Sequence, residues 1–463
     1  MSKSSSQAPA LLPKPPSLSK TLGPSFVLLG LALGSGELIL WPYLSANYGL
    51  GLLWGGLLGI TFQYFLNTEI IRYSLARGES VFVGFRQFSR FWPFWFVFST
   101  FIPWSLPGFS SAAAQIFSYL FHFQSSLWLA IFLLIITGLI LTLGKTLYRT
   151  MEFFQRTVIL LSFPLIVYLV IRLTHFSDWQ DLLKGLVGRG DSWWFFPSGL
   201  ALGSFLSAFA YSGAGGNLNL TQSYNVKEKG LGMGAYADKI TSLFSSQKAK
   251  LEGHLLADNP SNRSRWRSWW RLVTQEHFLV FWLLGFLTII FLALLAKVLV
   301  YGHASQSGLN FLYQEAQAIS FSLGNFWAKA FLFMAGSMLF STQVGILESA
   351  SRIISENLYL LRSQSWHQPV NLSLWFYIAL WSQIGLGILL LLLGIEEPRT
   401  LLTLGAILNA VAMMIAFPLI LFLNHRRLPK FVQPRRYRRV ILLIAFSFFF
   451  FFVIFTFKQN LLD

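Results

Sequence analysis

The chain contains no cysteine, which excludes disulfides, thiolate metal sites and cysteine nucleophiles. Charge is scarce too: Asp, Glu, Lys and Arg make up 11% of 463 residues, against a hydrophobic share of 54%. So little polar side chain does not clothe a soluble globule of this size. Acid is the scarcer sign, with 18 Asp and Glu against 35 Lys and Arg. The short alternating segments of a β-barrel are missing as well. What is present is a series of long apolar runs, each near the roughly 20 residues that a membrane-spanning helix needs.

These runs predict an all-α integral membrane protein with spans at 22–47, 50–72, 91–120, 126–145, 153–174, 198–226, 277–300, 325–347, 371–394, 400–424 and 440–457. If the N-terminus is cytoplasmic and the spans alternate, all the Lys and Arg fall on the cytoplasmic side except Arg172, Lys184, Arg189, Lys297, Lys329, Arg399 and Lys458. That bias is the positive-inside rule, so the basic excess reports topology and not a nucleic-acid partner. The expectation is a multi-pass protein of the plasma (inner) membrane with an external C-terminus, partnered by lipid. Residues 1–20, "MSKSSSQAPALLPKPPSLSK", lack the apolar core of a secretory signal and read as a disordered cytoplasmic tail. Residues 21–460 then form one transmembrane domain, interrupted chiefly by a cytoplasmic loop at 227–276. Its "NRSRWRSWWRL" suits an interfacial helix with rings at headgroup depth.

Two spans carry glycine clusters at mid-length: Gly34-Ser35-Gly36 in span 1, and Gly213, Gly215 and Gly216 in span 6. Glycine permits unwinding, and unwound backbone is tolerated within a bilayer only where protein or a water-filled cavity surrounds it. The two clusters lie five spans apart, so a first repeat over 22–174 and a second over 198–424 have opposite topology, with 440–457 as an extra helix. Inverted repeats with interrupted first helices mark secondary transporters and place their site at the two breaks.

The candidate substrate-binding residues follow from that geometry. Gly34, Ser35, Ala214 and Gly215 would offer carbonyls; Glu37 would bring a charge that a bilayer admits only at a cost of a few kcal/mol. Asn217, Thr342 and Gln343 would complete the shell, with Glu37 and Asn217 as the metal ligands. Capping of a resumed helix is the plainer role for Asn217, and compensation of the helix dipole the plainer one for Glu37. The stripe Ser337, Ser341 and Thr342 also suits helix packing, and Glu69–Arg72 and Glu348–Arg352 suit local ion pairs. All seven histidines lie outside the spans or at their ends, so no enzyme constellation is visible. No resident cofactor is expected.

The run "GPSFVLLGLALGSGELILWPYLSANYGLGLLW" (23–54) resembles the first two helices of the Nramp family of proton-coupled divalent-metal transporters. "AYSGAGGNLNLTQSYNVKEKG" in span 6 and "STQVGILESASRI" in span 8 are similar to a divergent branch of it. The resemblance implies a leucine-transporter-type fold of five plus five inverted helices and one extra, working by alternating access, with a proton as coupling ion. The family's Asp-Pro-Gly-Asn motif falls on Gly34, Ser35, Gly36 and Glu37, which moves the acid three positions along. Its helix 6 thioether and histidine have no counterpart in Ser-Gly-Ala-Gly-Gly-Asn (212–217). A donor set of oxygens favours Mg²⁺ or Mn²⁺ over softer ions. An amino-acid-like organic solute and a non-transporting sensor are the competing readings.

Overall fold

The computed structural model describes residues 10–143, 147–238, 250–302, 308–363 and 370–462, excepting the side chains of Ser35, Leu147, Arg149 and residues 459–462. Within them the fold is all-α, and the only β features are isolated bridges between Ala10 and Leu256 and between Arg189 and Trp194. Among the described residues seven helices are long and apolar enough by themselves to cross a membrane: Ser126–Leu143, Thr150–Leu173, Pro260–Val300, Asn325–Arg362, Ser373–Leu392, Pro398–Arg427 and Arg436–Lys458. An eighth span arises if the bent pair Pro24–Ala32 and Gly36–Tyr48 counts as one.

The predicted spans keep their numbers below. Span 2 is Leu53–Arg77 and ends at Gly78, whose φ of +70° closes the helix in a left-handed turn. Span 3 is two helices, Phe91–Trp104 and Gly108–Phe121, parted at Ser105-Leu106-Pro107 because Pro107 cannot donate to the helix ladder. Span 6 comprises Leu202–Ala210 and Gln222–Lys229. Span 8, Asn325–Arg362, is the axis of the bundle and packs on spans 1, 3, 5 and 9. A further helix, Asn310–Leu323, precedes it, and no apolar run in the sequence announced it.

Two expectations are corrected. From Ala10 onward the tail is ordered, not disordered: Leu12 is fully buried, its amide donates to Asn262 Oδ1 at 2.8 Å, and Trp269 Nε1 donates to Pro13 O at 2.8 Å. Proline-rich chain has little entropy to lose, and here it finds donors on an adjacent helix. Residues 1–9 lie outside the described residues. The helix carrying the tryptophans is Pro260–His277, continuous with span 7, and Arg263, Arg267 and Arg271 do line its exposed face. Its rings, however, pack on protein instead of lipid: Trp266 and Trp269 are buried, and the Arg72 guanidinium stands 3.8 Å from the Trp270 ring.

Candidate functional site

Span 1 does not unwind at its glycines. Residues Leu33–Leu40 take a wider, π-type winding, and the helices on either side of it are bent by 40°. Trp41 N donates to Gly36 O, the five-residue step that defines this winding. Thr342 from span 8 closes the gap by accepting from Gly34 N at 3.0 Å and donating to Gly30 O at 2.9 Å. Its hydroxyl thus replaces the rung that the widened turn breaks.

Span 6 is broken outright. Tyr211 to Gly215 are non-helical, Gly215 and Gly216 hold positive φ of 73° and 51°, and a tight turn over Gly216–Thr221 leads into the second half. Gln63 of span 2 repairs this break at both ends. Its Nε2 donates to Ala210 O at 3.0 Å, and its Oε1 accepts from Gly215 N at 3.2 Å. The Gly215 carbonyl accepts from Leu218 N at 3.2 Å. Trp41 Nε1 donates to Ser212 Oγ at 3.0 Å and joins the bent span 1 to the break in span 6.

The breaks follow the inverted symmetry. Span 1 leans on span 8, the third helix of the second half, through Gly34 and Thr342; span 6 leans on span 3, the third helix of the first, through Asn217, whose Nδ2 donates to Ser99 Oγ at 2.8 Å and Thr100 Oγ1 at 3.0 Å. The second helices correspond likewise. Span 2 meets the span 6 break with Gln63, whereas span 7 meets the span 1 break with Gly285, where a β-carbon would lie 3.3 Å from Glu37 Oε1. Glycine leaves Glu37 unanswered there. Glu37 is fully buried, both carboxylate oxygens lack a hydrogen-bond partner among the described residues, and a β-carbon at Gly285 would also meet the methyls of Ile60 and Leu29.

The candidate residues therefore divide. Gly34 and Thr342 are in contact; Gln343 is turned to span 3, accepting from Ser110 N at 3.2 Å. Ala214 and Gly215 sit in the non-helical stretch, and the Ser35 side chain lies outside the described residues. Asn217 Oδ1 is buried and unpartnered, as are Asn219 Oδ1 and Asn409 Oδ1. Of these, Asn409 Oδ1 is the one placed at Gly216, where a β-carbon would meet it at 1.9 Å; Asn219 reaches Gly216 O with its Nδ2 at 3.3 Å. Among the described residues no three His, Cys, Asp or Glu side chains converge as metal ligands. What the breaks offer a cation is one carboxylate and neutral oxygens.

Sequence reasoning missed Gln63, which looks like any polar residue in an apolar helix, and it missed the start of span 7. There Glu276 and His277, read as loop-end residues, are buried against Ser25 of span 1. The adjacency of two ionisable side chains at the mouth of an apolar run was the available signal.

With this geometry in view, comparison with solved structures gives one firm result. The chain has the fold of a manganese transporter. Over 98% of its length it superposes on 90% of the Eremococcus coleocola manganese transporter, in a variant form, with a TM-score of 0.68 and 13% identity. The same transporter in complex with an aromatic bis-isothiourea substituted compound matches with a TM-score of 0.66 and 13% identity, covering 96% of this chain and 86% of that one. A nucleobase-cation-symport-1 family transporter matches at a TM-score of 0.49 and 12% identity over 96% and 95% of the two chains. No protein-family model matches the chain, and no curated protein matches it in sequence. The leucine-transporter-type architecture expected from the sequence is thereby borne out.

Proposed function

We propose that the chain is a secondary transporter that moves a hard divalent cation, Mg²⁺ or Mn²⁺, across the plasma (inner) membrane by alternating access, with Glu37 carrying the compensating charge. The observation behind this reading is Glu37 itself: fully buried beside a helix break, with neither carboxylate oxygen bonded to protein. An ionised carboxylate left so costs several kcal/mol. A cation that shares its site removes that cost, and an empty site restores it.

Selectivity follows from the donors. The unpartnered oxygens of Asn217, Asn219 and Asn409 near the second break are hard and neutral, and among the described residues no cluster of three His, Cys, Asp or Glu side chains accompanies them. Oxygen donors suit Mg²⁺, Ca²⁺ and Mn²⁺ better than softer transition ions. Gly34, Ser35, Ala214 and Gly215 are proposed to add carbonyls as the helices shift, and Thr342 and Gln343 to leave their present partners when they do. Further support is the fold shared with a manganese transporter.

The test is a melting panel of purified protein with Mg²⁺, Mn²⁺, Ca²⁺, Co²⁺ or alanine, paired with uptake into proteoliposomes. A site-bound ligand at about 100 times its Kd stabilises the fold by roughly 2.7 kcal/mol. The expected outcome is stabilisation and uptake with Mg²⁺ or Mn²⁺, both lost in Glu37→Gln. Stabilisation by alanine alone, or uptake unchanged in a folded Glu37→Gln protein, would overturn the reading.

A further inference from the structure

Where span 7 begins, three side chains from two helices form a hydrogen-bonded chain. Ser25 Oγ lies 2.5 Å from Glu276 Oε2 and 2.7 Å from His277 Nδ1, and Ser25 N donates to Glu276 Oε1 at 3.3 Å. A hydroxyl has one proton, so its two contacts have opposite sense. With Ser25 donating to the Glu276 carboxylate, His277 Nδ1 must carry hydrogen and donate to Ser25 Oγ. His277 Nε2 is then a bare lone pair. It is fully buried and has no partner among the described residues.

The imidazole stacks on Tyr64 of span 2 at 5.5 Å and on Phe281 at 4.7 Å, so it is held in plane by rings and offers Nε2 to no fixed donor. Phe281 in turn reaches the span 6 break, its Cζ 2.8 Å from where a Gly213 β-carbon would stand. A turn further, Gly285 meets Glu37. His277 and Gly285 are eight residues apart, about 12 Å at the helical rise. The other end of the triad leads outward. Gly23, two residues before Ser25, rests on the Glu152 carboxylate, and Glu152 pairs with Lys229 at 2.7 Å where both are partly exposed. The ionisable groups surrounding the triad are therefore Tyr64 of span 2, Tyr148 and Glu152 of span 5, and Glu228 and Lys229 of span 6.

We infer that His277, Ser25 and Glu276 are a proton relay, through which the coupling proton passes between the centre of the bundle and the side predicted to be cytoplasmic. A proton from water in the opened pathway adds to the Nε2 lone pair. The Nδ1 proton moves to Ser25 Oγ as the serine proton moves to Glu276 Oε2. The outcome is a neutral imidazole with hydrogen on Nε2, an intact hydroxyl and a protonated Glu276; the reverse order carries a proton inward. No atom is gained beyond that one proton, and the one positive charge it brings passes through the serine to neutralise the Glu276 carboxylate. Because Ser25 belongs to span 1 while Glu276 and His277 belong to span 7, the relay is joined only while the two helices touch, and movement of span 1 cuts it. Conduction is tied to one conformation, as coupling requires.

This inference rests on the transport reading and is tested apart from it. Proteoliposomes holding a pH dye and a Mn²⁺ indicator, with the membrane potential clamped, report both fluxes from the same vesicles. Wild-type protein is expected to move protons with Mn²⁺. Ser25→Ala should keep Mn²⁺ flux down its gradient while proton flux falls about tenfold or more, the scale on which a positioned proton carrier acts. Ser25→Thr, which restores a hydroxyl, should recover it, and His277→Phe, which keeps the stacking, should not. Proton flux per Mn²⁺ unchanged in Ser25→Ala or His277→Phe overturns the relay, as does Mn²⁺ uptake by wild type without protons; in both cases the transport reading stands. Absence of Mn²⁺ and Mg²⁺ uptake in wild type instead removes the transport reading, and the relay with it.

Discussion

The backbone of Gly36 lies directly on the carbonyl oxygen of Tyr211: a β-carbon at Gly36 would stand 1.8 Å from it. This is where the two interrupted helices cross, and only hydrogen fits between them. Gly36→Ala is therefore expected to force the breaks apart, at a cost at or above the 1–3 kcal/mol usual for overpacking, roughly. Melting in detergent measures it. A variant that melts with the wild type would show that the crossing yields freely.

Gln63 is the residue that holds the second break closed. Gln63→Leu removes a donor from Ala210 O and an acceptor from Gly215 N inside the bundle. Each orphaned group costs about 1–3 kcal/mol, so the loss should exceed that of a Leu-for-Gln change on the lipid face. Gln63→Glu, which keeps the acceptor, should fall between. Equal melting of all three proteins would refute the splice.

The extra helix is fastened by charge. Arg438 Nη1 donates to Glu69 Oε1 at 2.9 Å and to Thr68 Oγ1 at 2.7 Å, while Arg72 Nε reaches Glu69 Oε2 at 2.6 Å and Asn424 Nδ2 the same oxygen at 3.1 Å. Every member is buried. Breaking a buried pair outright costs about 3–5 kcal/mol. Arg438→Met leaves Glu69 with Arg72, so it should destabilise the protein by less than that, and it should expose the Arg436–Leu462 helix to limited proteolysis; unchanged protection would mean that packing alone holds it.

Away from the membrane helices, Asp181 is held below the usual carboxylate range, first by the hydrogen bond from Lys184 at 2.8 Å and then by Lys297 at 3.4 Å. A depressed value in the folded state means stability that is present above the ordinary carboxylate pKa and lost as pH falls through the folded one. Solvent reaches this pair, so Asp181→Asn should cost less than about 1 kcal/mol at neutral pH. The difference should vanish in acid and shrink in high salt. A constant difference across pH would assign the effect to packing.

Much of this arrangement was legible in the residues. The glycine clusters located both breaks because glycine alone tolerates the conformations and contacts found at Gly36, Gly215 and Gly216. Glu69–Arg72 and Glu348–Arg352 were visible from helical spacing, and both pairs form. Glu37 stood out because an acid in an apolar run has no local excuse. Its immediate neighbour was not legible: Gly285 lies 248 residues away, and only the packing of span 7 on span 1 brings them together. The same holds for Gln63 and for Ser25 with His277, whose roles arise wholly from tertiary contacts. The π-type winding was also hidden, because glycines in series predict loosening without saying how much. The short helix Asn310–Leu323 escaped because polar residues interrupt its apolar ones, of which Phe311, Leu312, Ala316 and Ile319 are turned inward while Phe321 is exposed.

Pro260–Val300 is a single rod of 41 residues, some 60 Å long at the helical rise. One end is gripped by the N-terminal strap at Leu12 and Pro13, and its middle rests beneath the lone acid. Anything that tugs the strap is thus mechanically felt at the heart of the molecule, with the π-wound Phe278–Leu284 as the flexure along the shaft. The far terminus of the polypeptide holds a handle on its own interior.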